Sequence, residues 1–61
     1  MAAARINLHN TTTKVVFVED IGYERKLEWQ PDETKSVLEN DADLSYSIQK
    51  LMTAGVLEIV A

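Results

Sequence analysis

Leu44-Ser45-Tyr46-Ser47-Ile48-Gln49-Lys50-Leu51-Met52-Thr53-Ala54-Gly55-Val56-Leu57-Glu58-Ile59-Val60 decides the fold class, because two hydrophobic periods meet inside it. Leu44, Ile48, Leu51 and Met52 recur at i, i+4, i+7 and i+8, which places them in one stripe of a helix. Asp43 is positioned as the N-cap of that helix and Gly55 as its left-handed C-terminal stop. Beyond the glycine, Val56 to Val60 is largely apolar on both sides and reads as a strand. A helix that runs directly into a strand requires a mixed α and β architecture.

Toward the N-terminus, Glu39-Asn40-Asp41-Ala42 is polar and loop-like, and Lys35-Ser36-Val37-Leu38 makes a short strand before it. Pro31-Asp32-Glu33-Thr34 is a turn, since proline presets φ and donates nothing to a ladder. From Tyr23 to Gln30 the alternation puts Tyr23, Arg25, Leu27 and Trp29 on one face and Glu24, Lys26, Glu28 and Gln30 on the other. Val15-Val16-Phe17-Val18 is a β-branched and aromatic run that fits a strand buried on both faces, the expected centre of the sheet and hairpin partner of the next strand. Arg5-Ile6-Asn7-Leu8-His9 alternates polar and apolar as a half-buried strand, until Asn10-Thr11-Thr12-Thr13 breaks it. The resulting order, β-β-β-β-α-β, predicts a single α+β domain over residues 1–61. It would be a small antiparallel sheet of four to five strands, curled or barrel-like, with one short α-helix before the last strand.

Size and charge narrow the function classes. A chain of 61 residues buries only about 60% of its unfolded surface. With no cysteine it has neither disulfides nor thiolate metal sites. Packing against a partner, or against its own copies as a homo-oligomer, is the remaining route to added stability. Six basic against ten acidic side chains give a net charge of −4, which repels phosphate backbones, so no nucleic acid is expected as ligand. The excess lies wholly in residues 31–61, where Lys35 and Lys50 face six acids. No apolar run approaches the roughly 18 to 20 residues of a membrane span, and Met1 to Ala4 is too short for a signal peptide. The expectation is a soluble chain made in the cytoplasm, with no membrane partner.

No residue grouping points to catalysis or to a cofactor. His9, the only histidine, has no acid beside it in sequence, and reads as an exposed residue of a strand's polar face. Asp41-Ala42-Asp43-Leu44-Ser45 opens like a calcium loop, but Tyr46 stands where the loop needs glycine and Met52 where it needs a bidentate glutamate. Ser36, Ser45 and Ser47 lack nucleophile-elbow glycines. The chain therefore reads as non-enzymatic, with no catalytic residues, metal or cofactor. Phe17, Tyr23 and Trp29 alternate with acids and belong to a core or a protein interface rather than to a base-stacking platform. Tyr46 lies off the helix stripe and is an interface candidate, as are Val56, Glu58 and Val60 of the terminal strand, whose unpaired edge invites another chain. Trp29 is a core or interface anchor, depending on which sheet face is covered.

The segment Leu27-Glu28-Trp29, the Pro31-Asp32-Glu33 turn, Ser36-Val37 and Ser47 through Ile59 resembles small accessory structural proteins of tailed bacteriophages. Those chains share a strand, a proline turn, a strand, and a helix ending in glycine before a short hydrophobic strand. The glycine that often follows their turn proline is Asp32 here. The resemblance implies a virion component assembled in the host cytoplasm: a capsid decoration or cement protein, or a head-tail accessory protein, bound to the major capsid protein or another virion protein. The alternative is a small acidic inhibitor or regulator that places Asp32, Glu33, Glu39, Asp41 and Asp43 on a basic site of a host enzyme.

Overall fold

The computed structural model describes residues 4–22 and 26–60. Its elements are β1 (Arg5–Asn10), β2 (Val16–Val18), β3 (Leu27–Trp29), β4 (Thr34–Leu38), α1 (Glu39–Leu44), α2 (Tyr46–Thr53) and β5 (Leu57–Val60). The α+β class, the five strands and the helix ahead of the last strand are as expected. The strands form two antiparallel sheets, one in the order β4-β1-β5 and one a β2-β3 ribbon, and they do not close into a barrel. The centre of the larger sheet is β1 rather than the Val15–Val18 run.

That run is also buried on one face only: Val16 and Val18 are inside, whereas Phe17 is 57% exposed. A two-stranded ribbon has one face to lay on a core, so the middle residue of β2 is left in solvent. The expected hairpin is present, with Val16 opposite Trp29 and Val18 opposite Leu27. Tyr23, Glu24 and Arg25 lie outside the described residues, as do Met1 to Ala3 and Ala61. Trp29 is fully buried and its indole Nε1 donates to the carbonyl of Leu8 at 2.9 Å, which fastens the ribbon across β1. Around it pack Leu8, Val18, Ile21, Val37, Ile48 and Leu57.

Between Gln30 and Thr34 the chain reverses through a tight turn. The Glu33 amide donates to Gln30 O at 3.0 Å, and Asp32 takes φ 64° after Pro31, the type II arrangement. Residues 39–42, expected as a loop, form most of α1. Ala42 is buried beneath it, and Glu39 and Asp41 in its first turn favour the positive end of the helix dipole. The helix breaks at Ser45, whose φ −84° and ψ 112° are extended. Ser45, not Asp43, is the N-cap of α2, its Oγ accepting from Ile48 N at 3.1 Å. Leu44 consequently ends α1 in solvent, and the buried stripe of α2 reduces to Ile48 with Leu51 and Met52 beside it. The far end of α2 closes as expected: Gly55 sits at φ 78°, its amide donating to Met52 O at 3.1 Å, and Val56 N donates to Leu51 O at 2.9 Å.

Candidate protein interface

The hydrogen-bond phase of β1 determines what each edge of the larger sheet offers. Asn10 N donates to Glu33 O, and Thr11 N to Val56 O. In an antiparallel ladder each residue of a central strand points both backbone groups to one side, in alternation. With the observed registers, even-numbered β1 residues therefore bond to Lys35 and Val37, and odd-numbered ones to Glu58 and Val60. What points outward is Thr34, Ser36 and Leu38 on β4, and Leu57 and Ile59 on β5.

These two edges are treated differently. On β4, Arg5 reaches over the strand, its Nε donating to Ser36 Oγ at 2.8 Å and its Nη2 to Ser36 O at 3.1 Å. A charged side chain that occupies the outward carbonyl is one of the devices that keep foreign strands off an edge. On β5, Leu57 is buried, but Ile59 is 57% exposed, and Glu58 is the strand's single charge. The edge at Ile59 carries no such guard among the described residues.

A second exposed apolar feature lies on α2, which packs against β5. Asp20 fixes its position, because Oδ1 accepts from Ser45 Oγ at 2.7 Å and Oδ2 from Ser47 N at 3.2 Å. These bonds favour the ionised form, and the Ser45 hydroxyl above all holds the Asp20 carboxyl below its ordinary pKa. The segment after β2 is thereby tied to the start of α2, and Phe17 is brought beside the helix. Phe17, Tyr46, Ser47, Lys50, Leu51 and Ala54 line a shallow groove there, with Tyr46 73% exposed. Lys50 is the only charge among the described residues that line it.

Of the residues singled out in the sequence, Tyr46 is on the surface at this groove, and Val56, Glu58 and Val60 lie at or in the open-edged strand. Trp29 belongs to the core and offers no surface. Phe17, which the sequence assigns to a core or a protein interface, is on the surface, and so is Ile59 of the apolar terminal strand. Both sit in apolar runs, and only the pairing partners decide which member of such a run faces water.

The fold also supplies the acid that His9 lacks in sequence. His9 Nε2 lies 2.9 Å from Asp32 Oδ1 and Nδ1 lies 2.9 Å from Thr34 Oγ1, so a hydroxyl, an imidazole and a carboxylate stand in line. His9 lies on the polar face of its strand, half-buried rather than exposed, where it bridges the proline turn and Thr34. Asp32 is 91% exposed, on a solvated face, so the pair is screened by water and contributes little. Among the described residues no three His, Cys, Asp or Glu side chains are gathered for a metal, and no helix is long and apolar enough to cross a membrane. No protein-family model, curated protein or solved structure matches this chain.

Proposed function

We propose that this chain is a non-enzymatic assembly module that docks on a larger protein array through its β5 side, in the manner of the phage capsid decoration or head-tail proteins its second half resembles. The observation that carries the reading is the asymmetry of the sheet: one edge is covered by Arg5, the other presents Ile59. Edge strands left open and apolar are aggregation hazards, and a chain keeps one where another chain is meant to cover it. The exposed Phe17 and Tyr46 add a second contact of the aromatic kind enriched at interfaces. Docking also adds stability by mass action to a chain too small for a large core.

The inhibitor reading ranks second because its acids are divided. Asp32 faces His9, and Glu33 Oε1 accepts from Gln30 N at 2.8 Å, both at one end of β4. Glu39, Asp41 and Asp43 lie on α1 at the other end, about 16 Å away for a five-residue strand. Crosslinked affinity purification from the native source, followed by mass spectrometry, separates the two. Near-stoichiometric recovery of a capsid, portal or tail protein supports assembly. A single enzyme that is released by salt supports inhibition.

A further inference from the structure

Resting on that docking reading, we infer that β5 takes up one extended strand of another protein, antiparallel and in a register centred on Ile59, with an aliphatic residue opposite Ile59 and a basic residue opposite Glu58. The register follows from the ladder. Val56 O accepts from Thr11 N, so Glu58 is committed to His9 and only Leu57 and Ile59 turn their N–H and C=O outward. Leu57 is buried, which leaves Ile59 as the outward pair open to a newcomer.

The chemistry of the newcomer follows from the two faces. Ile59 lies opposite Leu8, on the face that covers the core, so the residue paired with it lands beside an exposed apolar side chain. The neighbours of that residue fall on the other face, opposite Glu58 and Val60. Glu58 lies on that face with His9 directly across the ladder, and Arg5, the one fixed cation of that sheet face among the described residues, is engaged on Ser36. A lysine or arginine on the added strand supplies Glu58 with a counter-charge. A second copy of this chain is the poorer occupant: two-fold pairing about Ile59 would set Glu58 against the copy's Val60, and it would join two bodies of net charge −4. Main-chain bonds with side-chain selection at alternate positions are the general mode of strand addition.

The test is a titration of ¹⁵N-labelled protein with an end-blocked peptide of alternating valine and lysine. The expected result is a saturable shift centred on the Ile59 amide, weakened about tenfold when the central valine is N-methylated, because one edge hydrogen bond is lost. Replacing the peptide's lysines with glutamates should remove the effect. The Ile59→Pro variant deletes the outward donor without touching the ladder, so its spectrum should stay native away from the substitution, and the peptide should no longer move the Glu58 and Val60 amides that it shifts in the unaltered protein. Should that variant not fold, the N-methylated peptide on the unaltered protein still decides. Shifts confined to Phe17 and Tyr46, or none at millimolar peptide, overturn the inference. So does a dimer in sedimentation that Glu58→Lys strengthens, which would make a second copy the occupant. If the peptide fails while a structural protein still co-purifies, strand addition falls and the assembly reading stands; if the peptide binds but nothing structural co-purifies, the reverse holds.

Discussion

Replacing Asn10 with alanine should remove a large share of the protein's stability. Asn10 is fully buried, yet both ends of its amide are in use. Nδ2 donates to Lys14 O at 2.8 Å, Gln30 O at 3.1 Å and Trp29 O at 3.3 Å, while Oδ1 accepts from Thr12 N at 2.9 Å and Thr12 Oγ1 at 2.7 Å. One side chain therefore joins the end of β1 to the end of β3 and to the loop that leads into β2. Alanine would strand these groups. Those of Lys14, Gln30 and Thr12 are near enough to the surface to recover water, so the main cost is the Trp29 carbonyl at about 1–3 kcal/mol, plus about 1 kcal/mol for the net loss of the remaining bonds. The total, about 2–4 kcal/mol, compares with roughly 3–9 kcal/mol for a whole domain of this length at typical stability per residue. Asn10→Asp should be no better, since it removes the donor and sets a charge among three carbonyls. Asn7→Ala, on the opposite face of the same strand, should change stability by under about 0.5 kcal/mol. Urea unfolding followed through Trp29 fluorescence measures all three. A loss below about 1 kcal/mol for Asn10→Ala would refute the idea that this amide ties the sheets together.

Further outcomes follow from single residues. Glu58→Pro removes a ladder donor to β1 and should cost about 3 kcal/mol in urea unfolding, whereas Ile59→Pro, one residue along, should cost about 1 kcal/mol or less. The Asp20 carboxyl is held below its ordinary pKa by Ser45, so its contribution is present above the unfolded value near 4 and is lost as pH falls through the lower folded value. Thermal unfolding between pH 5 and pH 2 should accordingly fall less steeply in Asp20→Asn than in the unaltered chain. Gly55→Ala should cost about 1 kcal/mol, for the left-handed backbone alone, because nothing lies within 4 Å of its added methyl. Gly22→Ala should cost more, since its Cβ would also stand 2.7 Å from Asp41 Oδ2.

Local chemistry made the elements legible, and pairing made the rest illegible. The proline turn, the β2-β3 hairpin and the Gly55 stop each depend on residues within a few positions of one another, and each is where the sequence places it. The cap of α2 falls on Ser45 where the sequence points to Asp43, and the Ser45 hydroxyl is held from outside the helix by Asp20, 25 residues away. Phe17 reads as core or interface inside a run expected to be buried on both faces, and strand order settles its exposure by leaving β2 in a ribbon with one covered face. Asn10 reads as a strand breaker because its burial depends on carbonyls of Lys14, Trp29 and Gln30 that only the fold assembles. For the candidate interface, the exposed Tyr46 and the apolar terminal strand are visible in the helix stripe and the run of apolar residues. The guarded edge at Ser36 and the open one at Ile59 depend on hydrogen-bond phase, which no residue pattern encodes.

Residue-resolved amide exchange at Ile59, in the free protein and in the proposed assembly, tests the docking claim most directly. The account predicts fast exchange at Ile59 beside slow exchange at Glu58 in the free chain, and strong protection of Ile59 once docked. An Ile59 amide as protected as Glu58 in the free chain, or one whose exchange docking leaves unchanged, would contradict it.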